Sequence, residues 1–232
     1  MLKAGKPTIA ILMAGRPLTF HNVAEHMDAV LYAWHPGTMG GPAICGALFG
    51  DIVPSGRLTT TFPRSVGQVP LYYDHLNTGR PAEETGPEAS NKFTSKYLDV
   101  PFTPEYPFGF GLSYTTFAYT NIGLSTTNLH PGERMTIQAE IANTGTRDAD
   151  EVVQLYTRQL AGSLTRPVRE LRAFRRVHLK AGEKQKVEFT LTTSDLAYYL
   201  PGGTLTTEPG RFQVWVAPDS ASGEMAEFQV VQ

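Results

Sequence analysis

The sequence predicts an α/β segment followed by an all-β sandwich, and three observations carry that expectation. Two short, continuous apolar runs, residues 9–13 and 29–34, flank a stretch that fits a short helix. From about Phe117 the pattern changes to apolar–polar alternation broken by turn signals. Finally, 22 Gly and 17 Pro in 232 residues suit short strands and many turns rather than a helical bundle. A chain of this length holds one large domain or two small ones.

The first run, Ile9-Ala-Ile-Leu-Met13, lies between Pro7 and Gly15. It is continuous rather than alternating, so it predicts a strand buried on both faces, as in parallel sheets. A helix within residues 18–27 and the second run complete a βαβ-like unit. The turn His35-Pro-Gly-Thr-Met-Gly-Gly-Pro then leads into a helix over residues 43–49, closed by Gly50-Asp51. A glycine-rich turn before a helix either cradles an anion or simply bends the chain. The bend is the expected role, since glycine is the default residue where the backbone turns sharply. Residues 54–104 are rich in Pro, Gly, Asn, Thr and charge and show little periodicity. About 50 such residues exceed an ordinary loop, so this stretch is expected to wrap a surface or line a site.

Beyond Phe117, Met135, Ile137, Ala139 and Ile141 alternate with polar residues. Val153, Leu155 and Thr157 continue the pattern, then Val187, Phe189 and Leu191, then Phe212, Val214 and Val216, and lastly Phe228 and Val230. The turns between them include His130-Pro-Gly-Glu, Asn143-Thr-Gly-Thr, Lys180-Ala-Gly-Glu, Pro201-Gly-Gly and Glu208-Pro-Gly-Arg. Strands so spaced, each with one apolar face, predict a β-sandwich of about 100 residues. The single cysteine, Cys45, permits no internal disulfide, which favours a fibronectin-III-like sandwich over an antibody-type one. The expected domains are residues 1–115, a partial α/β layer with the irregular segment at about 54–104, and residues 116–232.

The formal net charge of −2, without a basic patch, argues against a nucleic-acid partner. No apolar run approaches the roughly 20 residues of a membrane span, and the first residues do not read as a signal peptide. No metal or cofactor is expected. His21, Glu25 and His26 do not have the H-E-x-x-H spacing, and Gly109-Phe-Gly-Leu-Ser is neither G-x-S-x-G nor a full G-x-G-x-x-G. Asp74-His75 and the acidic run Glu83, Glu84 and Glu88 read as exposed loop. Nothing in the sequence pairs two carboxylates across one bond, as sugar hydrolysis requires. Between Leu71 and Tyr114, aromatic and polar residues interleave: Tyr72, Tyr73, His75, Asn77, Arg80, Tyr97, Tyr106 and Phe108. This mixture suits a sugar site, and equally an irregular segment packed onto its scaffold by its own rings.

Longer motifs carry a resemblance. Lys6-Pro-Thr-Ile-Ala-Ile-Leu-Met-Ala-Gly-Arg-Pro-Leu resembles a strand and turn of the second domain of glycoside hydrolase family 3 β-glucosidases. So do Ala33-Trp-His-Pro-Gly-Thr-Met-Gly-Gly, Ala47-Leu-Phe-Gly-Asp-Ile-Val-Pro-Ser-Gly-Arg-Leu and Thr61-Phe-Pro-Arg-Ser-Val-Gly-Gln-Val-Pro. Leu71-Tyr-Tyr-Asp-His-Leu-Asn-Thr-Gly-Arg-Pro and Tyr106-Pro-Phe-Gly-Phe-Gly-Leu-Ser-Tyr-Thr-Thr-Phe continue it. Arg166-Pro-Val-Arg-Glu-Leu, Gly182-Glu and Glu208-Pro-Gly-Arg-Phe resemble the fibronectin-III-like domain that ends many of these enzymes. The resemblance spans essentially the whole chain and is strongest to the bacterial periplasmic type.

The resemblance implies the C-terminal portion of a retaining, exo-acting β-glucosidase acting on β-glucosides or oligosaccharides, periplasmic or secreted. It also implies that the nucleophilic Asp, on an N-terminal (β/α)8 barrel, and the acid/base Glu precede this chain. No catalytic residue is therefore assigned within it, and the chain alone is expected to be inactive. Its expected partner is the barrel with the first half of the α/β sandwich domain, in the parent chain or as a separate one. Asn77, Arg80 and Tyr97 are the candidate substrate contacts on the aglycone side: amide and guanidinium donors meet sugar hydroxyls, and a ring stacks on a pyranose. The alternative is a non-catalytic structural or carbohydrate-binding accessory unit.

Overall fold

A computed structural model of the chain describes residues 5–82 and 93–231. The run Glu83, Glu84 and Glu88 lies outside the described residues. The chain divides into two compact units. One comprises the residues up to Val53 together with Thr60–Tyr72 and Arg80–Pro107; the other comprises Pro54–Thr59, Tyr73–Gly79 and Phe108–Gln232. The irregular stretch is thus no free loop, because successive parts of it belong to different units.

In the first unit, β1 (Ile9–Leu12) pairs in parallel with β2 (Ala29–Tyr32), with Ile9 opposite Ala29 and Leu12 opposite Tyr32. Helix α1 (His21–His26) connects them. It is only six residues long and has no side-chain N-cap, so packing must hold it. Phe20 supplies that packing, stacked on Tyr106 at 5.6 Å and edge-on to Phe62 at 5.8 Å. Tyr32 and Trp34 complete the aromatic cluster around the buried Phe62. Helix α2 (Gly40–Phe49) starts three residues earlier than expected and ends at Gly50, whose φ of 83° is the left-handed cap that glycine adopts without strain.

The expectation that residues 9–13 are buried on both faces is corrected. Ile9, Ile11 and Met13 are 48, 38 and 64% exposed. The parallel pairing is present, but the sheet has two strands, and two strands cannot cover both their faces. Met39, Phe49 and Ile52 of the same unit are exposed as well.

The second unit contains β3 (Phe117–Leu124), β4 (Asn128–Leu129), β5 (Arg134–Asn143), β6 (Ala149–Gln159), β7 (Glu170–Leu179), β8 (Lys184–Thr192), β9 (Tyr198–Tyr199), β10 (Leu205–Thr206), β11 (Gly210–Ala217) and β12 (Met225–Val230). One sheet has the order β3-β5-β8 and the other β4-β12-β11-β6-β7, with β9 and β10 forming a small pair. All pairings are antiparallel except β4 with β12. Every alternating position singled out in the sequence from Met135 onward is buried. Met135, Ile137, Ile141, Val187 and Leu191 of one sheet share a core with Leu155, Phe212, Val214 and Phe228 of the other. Each such burial contributes about 1.5–3 kcal/mol.

Candidate functional site

In the first unit the centre of the irregular stretch is Gln68, 1% exposed. A short 3-10 turn, Val66–Gln68, aims its side chain back into the segment. Its Oε1 accepts from the backbone N–H groups of Arg64 (2.6 Å) and Ser65 (3.3 Å). Its Nε2 donates to the carbonyls of Pro101 (2.8 Å) and Thr103 (3.3 Å). The Gln68 carbonyl accepts from the Tyr97 hydroxyl at 3.3 Å. Tyr97 therefore has a tethered hydroxyl, while 39% of the residue is exposed.

Arg80 is exposed. Its carbonyl accepts from Ser95 N–H at 2.7 Å, and Pro81 bridges Ser95 in parallel. Arg80 and Tyr97 thus sit on paired segments, Tyr97 two residues beyond the bridging Ser95. Asn77, half-buried, belongs to the other unit. Its stretch is attached to the β-sandwich: Val168 N–H donates to the His75 carbonyl at 3.0 Å, and Leu76 bridges Pro167. Tyr73 stacks on Phe108 at 4.3 Å and meets Tyr156 edge-on at 6.2 Å. Asp74 and His75 are exposed, as expected of loop residues.

His21, weighed in the sequence as part of a cluster with Glu25 and His26, is shared between Glu25 and Glu105. Its Nδ1 meets Glu105 Oε1 and its Nε2 meets Glu25 Oε1, both at 2.9 Å. The hydrogen bond to Glu105 and that carboxylate's charge raise the His21 pKa. Glu105 also pairs with Arg64 Nη1 at 2.9 Å, and Arg64 Nε donates to the Thr103 carbonyl at 3.0 Å. Among the described residues, no group of three or more His, Cys, Asp or Glu is placed to hold a metal ion.

The glycine motifs are packing devices. A Cβ on Gly109, whose φ is +84°, would lie 2.3 Å from Gln154 Oε1 and 3.0 Å from Asp219 Cα. One on Gly111 would lie 2.6 Å from the Gly56 carbonyl, and one on Gly40 would meet Pro36 at 2.7 Å. Sequence reasoning missed Gln68 and Glu105. The spacing of His21 and Glu25, one helical turn apart, signals that pair, whereas nothing in the sequence links either to Glu105, 84 residues on.

Comparison with known proteins places these features. Residues 1–114 match the glycosyl hydrolase family 3 C-terminal domain, and residues 151–220 the fibronectin type III-like domain. The chain is 43% identical over 231 residues to a periplasmic beta-glucosidase of Salmonella typhimurium, covering 99% of this chain and 30% of that protein. It is 38% identical to a beta-xylosidase of Formosa agariphila, covering 96% of this chain and 30% of that protein. Among solved structures, beta-glucosidase from Listeria innocua in complex with isofagomine superposes with a TM-score of 0.92 at 39% identity, over 99% of this chain and 32% of that one. The chain spans about 30% of the length of the curated relatives it matches. Among the described residues, no helix is long and apolar enough to cross a membrane.

Proposed function

We propose a function from one premise: the chain belongs to glycoside hydrolase family 3, carrying that family's C-terminal domain followed by a fibronectin type III-like domain. The chain serves as the C-terminal portion of a retaining, exo-acting β-glucosidase that removes terminal β-D-glucosyl residues from glucosides or oligosaccharides. The observation that carries this reading is the match of 99% of the chain, at 43% identity, to a periplasmic beta-glucosidase. The Listeria innocua beta-glucosidase structures with isofagomine and with glucose support a glucoside as substrate. The Salmonella typhimurium relative, a periplasmic enzyme, supports a periplasmic or secreted location.

In this reading, two carboxylates roughly 5 Å apart, one nucleophile and one acid/base, perform a double displacement through a glycosyl-enzyme. Both are supplied by polypeptide outside these 232 residues, from a barrel and the rest of the α/β sheet. The exposed Ile9, Ile11 and Met13 on a two-stranded parallel sheet support the missing-sheet part of this reading, since parallel sheets are ordinarily covered on both faces. Residues 1–110 expressed alone should bind a hydrophobic dye and lack a cooperative melt. A monomeric, cooperatively folding product would contradict this.

Arg80 and Tyr97, on paired segments of one unit, contact the aglycone: the guanidinium donates to sugar hydroxyls and the exposed Tyr97 ring stacks. Asn77 is proposed separately as an aglycone contact. The test is hydrolysis of an aryl β-glucoside and a glucosyl disaccharide by the complete enzyme and its Arg80→Ala variant. Loss of a charge-assisted hydrogen bond of about 1.5–3 kcal/mol lowers kcat/KM by about 10–100-fold. An unchanged kcat/KM on both substrates removes Arg80 from the site.

A further inference from the structure

The stretch Tyr73–Gly79 has no helix or strand of its own, yet it is grouped with the β-sandwich rather than with the α/β unit on either side of it in sequence. Five sandwich-side contacts hold it. The Tyr73 ring lies nearly parallel to Phe108, 4.3 Å between centroids and 17° between planes. It meets the fully buried Tyr156 of β6 edge-on. The Tyr73 hydroxyl accepts from Leu171 N–H of β7 at 3.3 Å. Two residues on, the His75 carbonyl accepts from Val168 N–H, and Leu76 bridges Pro167. Tyr156 is itself fixed, donating to Gln154 Oε1 at 2.5 Å, while Gln154 Nε2 donates to the Gly109 carbonyl at 3.3 Å.

These contacts all fall on residues 73–76. Asn77 comes next, and Arg80 follows three residues later. An irregular segment keeps one conformation only when its surroundings determine it. We infer that Tyr73 is a positioning residue: through it, the β-sandwich sets the backbone that presents Asn77 to the aglycone, which makes the sandwich a specificity element and not only a brace. The inference deepens the proposed function and rests on it for the aglycone; the clamp itself does not.

Two measurements separate these dependencies. The first is hydrogen–deuterium exchange of the 232-residue chain, comparing Tyr73→Ala and Tyr73→Phe with the unaltered protein, with amides of β5 and β11 as the internal reference. Tyr73→Ala should raise exchange at the Val168 amide, which donates to the His75 carbonyl, roughly tenfold or more while β5 and β11 stay protected. Tyr73→Phe, which keeps the stack, should leave the Val168 amide protected and free only the Leu171 amide. Tyr73→Leu replaces the alanine variant should that fail to fold. Unchanged exchange at the Val168 amide overturns the inference.

The second is kinetics of the complete enzyme on a glucosyl disaccharide and an aryl β-glucoside, with Asn77→Ala as benchmark. Tyr73→Ala should lower kcat/KM for the disaccharide about tenfold, chiefly through KM, with Tyr73→Phe close to the unaltered enzyme and binding of a glycone-only inhibitor retained in all variants. If Asn77→Ala alone lowers it, the positioning role falls. If neither does, the aglycone role of Asn77 falls, while the exchange result still decides the clamp.

Discussion

Replacing Arg57 by Met tests how Pro54–Thr59 is held to the β-sandwich. Glu151 of β6 is 1% exposed, and its two carboxylate oxygens have separate partners. Oε1 accepts from the Tyr119 hydroxyl at 2.5 Å, and Oε2 from Arg57 Nη2; Arg57 Nη1 also donates to the Gly111 carbonyl. Burial, then the charge of Glu151, pushes the Tyr119 hydroxyl far above the ordinary phenol range, so it stays protonated and donates. Removing the guanidinium leaves a buried carboxylate with one hydrogen bond, which costs about 3–5 kcal/mol. With a urea slope of about 2 kcal/mol/M, the midpoint falls by about 1.5–2.5 M. Tyr119→Phe should cost about 1.5–3 kcal/mol. The assay is urea titration followed by far-UV circular dichroism and tryptophan fluorescence, Trp215 of β11 reporting on the sandwich. An Arg57→Met midpoint within about 0.3 M of the unaltered chain would refute the reasoning.

Other expectations are as direct. Phe212→Ala empties the space where Phe212 and Phe228 stack at 5.3 Å in the core, and should cost about 3–5 kcal/mol by the same titration. Gly109→Ala combines a φ of +84° with a Cβ 2.3 Å from Gln154 Oε1, and should cost at least about 1–3 kcal/mol. The His21 pKa lies above 6.5, so its contribution to stability is full below about pH 6.5 and is lost as pH rises through the folded value; NMR titration of the His21 ring should give a midpoint above 6.5, and one at or below it would contradict the pairing. Asp150 is held below 3.8, first by its hydrogen bond to His178 and then by Arg176. Its contribution is present above about pH 3.8 and lost as pH falls through the folded value, so the acid-unfolding midpoint of Asp150→Asn should move less with added salt than that of the unaltered chain.

Much of the sandwich was legible because alternation is a local signal that burial on one face imposes. Met135, Ile137, Ile141, Val214 and Phe228 announce their faces without reference to any partner. Strand β7 did not. It is the edge of its sheet, only Val177 and Leu179 in it are buried, and Arg172, Arg175 and Arg176 break the alternation. For β1, the apolar run correctly signalled a parallel strand, but depth depends on neighbouring strands, and its sheet has one. The candidate site was less legible. Tyr97 and Arg80 stand out by chemistry, but Gln68, which ties together residues 64, 65, 97, 101 and 103, carries only the S-x-x-Q capping signal of Ser65-Val-Gly-Gln, which says nothing of its distant partners. A buried glutamine reads as an exposed one until its partners, up to 35 residues away, are known.

The central claim is that this chain supplies scaffold and aglycone contacts while the bond-breaking carboxylates reside on other polypeptide. The direct measurement is hydrolysis of an aryl β-glucoside by the purified 232-residue chain, alone and co-expressed with a barrel-bearing N-terminal remainder. The account predicts no turnover above buffer from the chain alone and turnover once the remainder is present. Hydrolysis by the isolated chain, abolished by substitution of one of its own carboxylates, would contradict it.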